Sequence, residues 1–271
     1  MTFEYQVPSE LTVTSDGPVR IVTLNRPDDL NGANRDLHRG LLEVWGQIER
    51  DRDAAAVVLT GAGRAFCAGG DFSFMKVSQV HEQARIDLMR EARQLVEEML
   101  RFRLPVLAAV NGPAVGLGTT LALCSDLVLM GPRAHLSDPH VSIGLAAGDG
   151  GAVLWPLYTS LMRVKEYLFT GKRIYPEEAV RLGLAIRAVE DDSVLEKSLE
   201  LAHSIASQPR AALQFTKRAL NLHAQRSLLA VGDYAASAEL VNMASSEHRD
   251  AIRQLLGTET YDAIEVPEWE G

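Results

Sequence analysis

The sequence predicts an α/β fold in which short parallel strands alternate with helices, followed by a wholly helical segment. Three apolar runs have the length and composition of buried strands, at residues 56–60, 106–110 and 127–130. Longer segments with apolar residues at helical spacing separate them, and this alternation is typical of parallel sheets. Beyond Gln208-Pro209 the pattern is helical only, to about Leu256.

The N-terminal part begins with a predicted hairpin and a helix. Residues 11–14 and 19–24 read as two strands joined at Ser15-Asp16-Gly17-Pro18, a strong turn sequence. Residues 35–50 carry an apolar stripe after Asn34, which is a suitable N-cap, so a helix is expected there.

Further helices are expected at 83–102, at 118–124 between two of the strands, and at 162–169. After Pro176 the pattern is mostly helical, with one more strand near 185–189. Because no low-complexity tract or flexible linker appears, the change of pattern alone divides the chain into residues 1–207, expected to hold the active site, and residues 208–271.

Composition and charge narrow the class of protein. The chain has 271 residues, of which 46% are hydrophobic and 23% charged, enough for one large domain with a sizeable core. The formal net charge of −9 disfavours nucleic acid as a partner. The two cysteines, Cys67 and Cys124, form no disulfide framework, and neither a signal peptide nor a membrane-spanning run is recognised. A cytoplasmic protein is therefore expected.

Two glycine-containing loops carry the strongest functional signal. Residues 64–71 read Arg-Ala-Phe-Cys-Ala-Gly-Gly-Asp and residues 111–120 read Asn-Gly-Pro-Ala-Val-Gly-Leu-Gly-Thr-Thr, each directly after a predicted strand. Two such loops can direct two backbone N–H groups at one oxygen and stabilise its developing negative charge. A dinucleotide-binding interpretation of Gly61-Ala-Gly63 is disfavoured, because Phe66 stands where the third glycine is needed.

Together the two loops resemble the paired oxyanion loops of the crotonase (enoyl-CoA hydratase/isomerase) superfamily, and the likeness extends from about Thr12 to Leu256. It implies a spiral core of ββα turns, with a C-terminal helical segment that covers the site and packs trimers. It also implies an acyl-CoA thioester substrate, with coenzyme A as part of the substrate and no separate cofactor. The oxyanion donors would be the amides of Gly70 and Leu117, and a homotrimer or dimer of trimers is expected.

The two glutamates that a typical enoyl-CoA hydratase of this family uses are absent. Thr120 occupies the first position, and His140, in Ser137-Asp-Pro-His140, occupies the second. His140 and Asp149 are expected to replace them, because an imidazole can exchange a proton near neutral pH while a carboxylate orients it. Their spacing resembles that of 6-oxocamphor hydrolase, a superfamily member that cleaves β-diketones. That enzyme also uses a histidine on the second loop, where this chain has Leu117, and a C-terminal glutamate, for which Glu239 is a possible counterpart.

The remaining candidates are less specific. Residues near the first loop and the second, together with one lysine of the C-terminal segment, are expected to contact the substrate; these are Ala68, Asp71, Phe74, Met75, Thr120 and Lys217. The simplest interpretation of Lys217 and Glu239 is a solvated helix face, and that of Asp149 a capping or turn residue. By resemblance, Lys217 is alternatively a contact of the coenzyme A phosphates in a neighbouring subunit. The histidines show no metal-ligand spacing, so no metal is expected.

Three functions remain open at this stage. The first is an enzyme of fatty acid metabolism that stabilises the enolate of an acyl-CoA thioester, by hydration, dehydration or isomerisation. The second keeps the fold and hydrolyses a β-diketone by retro-Claisen cleavage, with or without coenzyme A. The third is a catalytically silent binding protein, which the missing glutamates favour and the retained His140 and Asp149 disfavour.

Overall fold

The computed structural model describes residues 3–269, which form a mixed α/β core followed by packed helices. The strands are β1 Leu11–Asp16, β2 Val19–Leu24, β3 Ala56–Gly61, β4 Val106–Val110, β5 Pro113–Val115, β6 Leu127–Met130, β7 His135–Ser137 and β8 Arg187–Ala188. The helices are α1 Arg35–Arg50, α2 Phe72–Val80, α3 Glu82–Arg101, α4 Leu117–Cys124, α5 Gly151–Tyr158, α6 Leu161–Thr170, α7 Pro176–Leu182, α8 Val194–Ala206, α9 Arg210–Ser227, α10 Asp233–Met243, α11 Ser246–Leu256 and α12 Thr258–Ala263.

The main sheet has six strands in the order β1-β2-β3-β4-β6-β8. The predicted hairpin is confirmed, since β1 and β2 pair antiparallel from Leu11 with Leu24 to Asp16 with Val19. All other neighbours in this sheet pair parallel, which confirms the α/β class. A second sheet of two three-residue strands, β5 and β7, pairs parallel next to it.

Each central strand is apolar throughout because both faces of the sheet are covered. On β3, Val57 and Leu59 belong to a core cluster with Trp45 of α1, whereas Val58 belongs to a cluster with Val194 of α8. A strand buried on both sides has no solvent face on which to place polar residues. Each fully buried Val or Leu side chain contributes about 1.5–3 kcal/mol relative to an exposed one.

The predicted helices are present with small changes at their ends. Asn34 caps α1 as expected, its side chain accepting a hydrogen bond from the Leu37 amide. Helix α2 was not predicted; it starts because the Asp71 carboxylate accepts from the Ser73 amide. The strand expected at 185–189 is reduced to two residues, Arg187–Ala188.

The C-terminal helices fold back over the core. Helix α10 packs on α3, α9 contacts α3 and α5, and α11 lies against the 3₁₀ turn Val141–Ile143. The chain continues past the predicted end through α12, where Lys76 Nζ donates to the Tyr261 and Ile264 carbonyl oxygens. The division of the chain at residue 207 stays a prediction. None of the helices within residues 3–269 is long and apolar enough to cross a bilayer.

Candidate active site

A cavity of about 370 Å³ lies where the two glycine-containing loops meet α3 and α10. Most of its wall is apolar. The side chains and glycines that line it include Ala33, Ala68, Gly69, Gly70, Phe74, Met75, Leu88, Met89, Ala92, Val115, Gly116, Leu117, Ile143, Leu145, Met243 and Leu255. The polar side chains on the same wall are those of His38, His140, Ser142, Asp149 and Glu239. An apolar cavity with a few convergent polar groups is the usual form of a small-molecule site.

The two loops are in direct backbone contact. The Cys67 amide donates to the Pro113 carbonyl at 3.1 Å, and the Cys67 carbonyl accepts from the Val115 amide at 2.9 Å. Gly116 then adopts φ +51°, a left-handed conformation that favours glycine, and turns the chain into α4. At Gly118 a Cβ would stand 2.2 Å from the Cys67 carbonyl oxygen, so the start of α4 approaches the first loop as closely as backbone permits.

Gly70 and Leu117 both line the cavity and both retain an unused amide. Ala33 pairs with the first loop through the Gly69 carbonyl and the Asp71 amide, which leaves the Gly70 amide directed elsewhere. Leu117 is the first residue of α4, where helical amides have no intrahelical acceptor. Within residues 3–269 neither amide has a hydrogen-bond acceptor. Two residues with free amides therefore belong to the wall of one cavity, and the convergence of these amides on one oxygen stays a prediction.

His140 is held by a carboxylate that sequence reasoning missed. Its Nδ1–H donates to Asp138 Oδ1 at 2.5 Å, and Asp138 Oδ1 also accepts from the His140 amide at 3.2 Å. Both side chains are buried. Asp138 fixes the ring from the Nδ1 side and leaves Nε2 for other groups. The predicted role of Asp149, to orient His140 or to handle water, stays a prediction.

Two further acids stand on the Nε2 side of the ring. Asp149 Oδ2 and Glu239 Oε1 each lie 3.7 Å from His140 Nε2, too far for a hydrogen bond and close enough for strong electrostatic interaction. Thr120 Oγ1 lies 3.5 Å from Asp149 Oδ1 and donates to it, and the Gly148 amide donates to Glu239 Oε2 at 3.0 Å. The ring itself lies beside the second loop, because a Cβ on Gly116 would stand 3.4 Å from His140 Cε1.

Burial and mutual charge shift the pKa values of this group of side chains. Burial alone lowers the pKa of His140, but the charges of Asp138, Asp149 and Glu239 outweigh it and hold that pKa well above the ordinary value. Burial raises the pKa of Glu239 to about 8, with repulsion from Asp149 and Asp138 adding to it. Burial likewise raises the pKa of Asp149. At neutral pH the imidazole is therefore charged and Glu239 holds a proton.

Comparisons with known proteins identify the family. A family described as enoyl-CoA hydratase/isomerase matches residues 14–271. The chain belongs to the enoyl-CoA hydratase/isomerase family. It is 32% identical to a short-chain-enoyl-CoA hydratase of Clostridium acetobutylicum over 79% of this chain and 81% of that protein. It is 31% identical to a 1,2-epoxyphenylacetyl-CoA isomerase of Escherichia coli, over 88% of this chain and 92% of the relative.

A solved structure confirms the fold. An enoyl-CoA hydratase/isomerase from Mycobacterium paratuberculosis superposes with a TM-score of 0.89 and 46% sequence identity, covering 92% of this chain and all of that one. The predicted membership of the crotonase superfamily and its α/β fold with a C-terminal helical segment are thus confirmed.

The structure places most of the substrate-contacting residues predicted from the sequence in or beside the cavity. Ala68, Phe74 and Met75 line the cavity, and Thr120 contacts Asp149. Asp71 instead caps α2 and pairs with Arg26 at 2.9 Å.

Two interpretations of charged residues as solvated are wrong. Glu239 is 2% exposed and faces His140, because α10 turns this side chain inward over the cavity. Lys217 is 7% exposed, and its Nζ donates to Asp126 Oδ2 and the Leu104 carbonyl, each at 2.7 Å. Lys217 lies outside the cavity wall, and a contact with coenzyme A phosphates stays a prediction.

Three of the buried side chains are also close enough together to be considered as metal ligands. Asp138, His140 and Asp149 bring ligand atoms within 4.8 Å of one another, although no histidine or cysteine spacing in the sequence indicated it. Asp138 already accepts the His140 Nδ1 proton, which leaves this carboxylate only part of its capacity for an ion. The expectation of no metal stays a prediction.

Proposed function

We propose that this chain binds an acyl-CoA thioester in the cavity and stabilises its enolate with the amides of Gly70 and Leu117. One observation carries the proposal. Gly70 and Leu117, whose amides are free, line the same apolar cavity as His140, Asp149 and Glu239. A thioester oxygen held by the two amides would present its acyl carbons to groups that exchange protons. Coenzyme A enters as part of the substrate, and no further cofactor is invoked.

The proton chemistry follows from the charges. Asp138 keeps His140 as an imidazolium, which adds positive charge near the forming enolate. Glu239 holds a proton below about pH 8 and serves as the acid, while Asp149, also 3.7 Å from Nε2, is a second acid or base. Such a set suits transfer of a proton between carbons of an enolate, as in isomerisation, or addition of water to a double bond.

Isomerisation is favoured over plain hydration. Thr120 and His140 stand where the resemblance expects two carboxylates to hold the attacking water, and loss of a positioned acid or base costs about 10²–10⁴ in rate. The relatives include a protein named as a hydratase and one named as an isomerase, so their names support either reaction.

Turnover assays test the proposal. We expect slow hydration of crotonyl-CoA, faster conversion of at least one other acyl-CoA in a panel, and a large loss of kcat in His140→Ala with Kd for the thioester retained. Near-normal turnover in His140→Ala would contradict the proposed mechanism, and absence of binding to every CoA ester would contradict the proposed substrate class.

A second candidate is retro-Claisen hydrolysis of a β-dicarbonyl compound. The observation in its favour is the pair of acids at equal distance from His140 Nε2, an arrangement in which an imidazole and carboxyl groups can activate water. Calorimetry with CoA esters, paired with turnover of cyclic diketones, separates the two. A catalytically silent protein is the least favoured alternative. Burying an imidazole with three acids costs stability, and groups with such perturbed pKa values cluster at functional sites.

A further inference from the structure

A second histidine lines the same cavity on a different wall. His38 belongs to α1 and is 2% exposed, and its Nδ1 lies 3.3 Å from Glu91 Oε2 on α3. This contact with His38 is the main reason why the pKa of Glu91 lies below its ordinary value. The proposed reaction uses neither residue.

The ring of His38 is unusually short of hydrogen bonds for a buried group. Its Nδ1 is fully buried, and although it lies at ion-pair distance from Glu91, the two are not aligned as a hydrogen bond. Among residues 3–269 no hydrogen bond reaches Nε2 either. Because Nδ1 faces Glu91 and His38 belongs to the cavity wall, Nε2 is the ring nitrogen left for a group inside the cavity. Buried polar groups in proteins are nearly always paired, so an unpaired one on a cavity wall indicates a ligand partner.

We infer that His38 Nε2 pairs with a hydroxyl group on the acyl part of the substrate, so that the enzyme selects hydroxylated acyl-CoA thioesters. The inference rests on the proposed function, which supplies the thioester. A hydroxyl fits because it both donates and accepts, and therefore satisfies Nε2 whether or not the ring is protonated.

The apolar cavity wall formed by α3 strengthens the selection of hydroxylated acyl groups. The side chains around this part of α3, Leu88, Met89 and Ala92, are apolar and offer an acyl chain no other polar contact. An unsubstituted alkyl chain would cover Nε2 and leave it without a partner, which typically costs about 10- to 100-fold in affinity. Sites built around a buried polar group reject analogues that lack the matching group.

Calorimetry tests the inference without depending on turnover. The probes are hexanoyl-CoA and the series of hexanoyl-CoA derivatives with one hydroxyl at carbon 4, 5 or 6. At least one hydroxylated ester should bind the wild-type protein about 10- to 100-fold more tightly than hexanoyl-CoA. His38→Leu, of similar size and helix propensity, should abolish this preference, and His38→Gln should keep part of it. His223→Leu, which removes an exposed histidine outside the cavity, is the matched control and should leave the preference unchanged.

The outcomes separate the inference from the function on which it rests. Equal affinity for all four esters, or a preference that persists in His38→Leu, would overturn the role of His38 while leaving the thioester proposal intact. Failure of every CoA ester to bind would overturn the proposed function and this inference with it. Circular dichroism of His38→Leu and His38→Gln checks that both variants remain folded.

Discussion

At the scale of single residues, the orientation of His140 depends on a carboxylate only two positions earlier. Asp138 accepts from both the ring Nδ1–H and the backbone amide of His140, so the imidazole cannot rotate away from the cavity without losing a buried hydrogen bond. The sequence shows Asp138 and His140 flanking Pro139, but not that the turn folds one side chain onto the other. Likewise, Lys217 reaches Asp126 across 91 positions of the chain, which no local pattern reveals.

Asp138→Asn should reduce kcat by about 10²–10⁴, because an amide cannot hold the imidazolium in place or stabilise its charge. The pKa of His140 should fall, since the Asp138 charge is the largest of those that raise it. Steady-state kinetics and an NMR titration of the histidine ring check both effects. Asp192→Asn removes an exposed carboxylate paired with Arg133 and serves as the control. An unchanged kcat in Asp138→Asn would remove its positioning role.

Glu239→Gln should change how both activity and stability depend on pH. The folded-state pKa of about 8 lies above the unfolded value near 4.5, so the native protein binds the extra proton between these pH values. Stability is then full below about pH 4.5 and falls as the pH rises through 8. The variant lacks this decline, so its stability relative to the wild type should rise by about 2–3 kcal/mol between pH 6 and pH 9, or several degrees in Tm.

The same variant tests the role of Glu239 as an acid. Wild-type kcat/KM should fall above about pH 8 as Glu239 loses its proton, and the inflection should be absent in Glu239→Gln. Differential scanning calorimetry and pH–rate profiles are the measurements. Parallel stability curves for the two proteins between pH 6 and pH 9 would show that Glu239 is already ionised at neutral pH.

At the scale of elements, the site depends on the start of α4 lying against the first loop. The strands leading into these loops could be predicted, because fully buried strands are continuous apolar runs. Strands β5 and β7 could not, since three residues carry no measurable periodicity. Helix α2 was missed for a related reason: Phe72–Val80 has only a weak apolar stripe, and its start depends on the Asp71 cap.

Gly118→Ala should destabilise the protein by more than about 2 kcal/mol and reduce activity, because the new Cβ would stand 2.2 Å from the Cys67 carbonyl oxygen. Backbone on both sides would have to move, and the Gly70 and Leu117 amides with it. Thermal unfolding and kcat/KM are the measurements.

Gly46→Ala provides the matched control on another helix. Gly46 is an exposed position within α1, where a Cβ would meet nothing closer than Arg50 at 3.8 Å. Alanine there should stabilise by about 0.5–1 kcal/mol, since glycine costs more conformational entropy in a helix. A Gly118→Ala protein as stable as the wild type would contradict the close approach of α4.

At the scale of the whole molecule, the fold class and the helical C-terminal segment could be predicted from the sequence. Both depend on the spacing of apolar residues over long segments, which single exceptions do not obscure. The sequence did not show which helix faces are available for assembly, because the exposure of a side chain is known only from the structure. Large apolar side chains stand exposed on the described helices α6 and α9, among them Met162 at 83% and Phe215 at 74%. Monomeric proteins rarely leave such surfaces in contact with water.

These exposed side chains favour self-association, and the family resemblance leads us to expect a homotrimer or a dimer of trimers in solution. Light scattering coupled to gel filtration should give three or six times the chain mass of 29.6 kDa. Phe215→Glu combined with Leu220→Glu should reduce that mass, because burying two new charges in an interface is costly. Circular dichroism checks that the double variant is folded, and a wild-type particle of one chain mass would contradict the prediction.

Because backbone contacts hold the two loops together, the reactivity of Cys67 towards an alkylating reagent can measure how often the loops separate. Burial raises the pKa of the Cys67 thiol to about 12 and also raises that of Cys124, so neither thiol is ionised in the closed state, and Cys67 is fully buried. An alkylating reagent can therefore modify Cys67 only while the loops are parted, whereas Cys124 lines a second cavity at the far end of α4 and serves as the reference. Peptide-resolved labelling rates would give the opening frequency of the loops, and a thioester that bridges the loops should slow the modification of Cys67 more than that of Cys124.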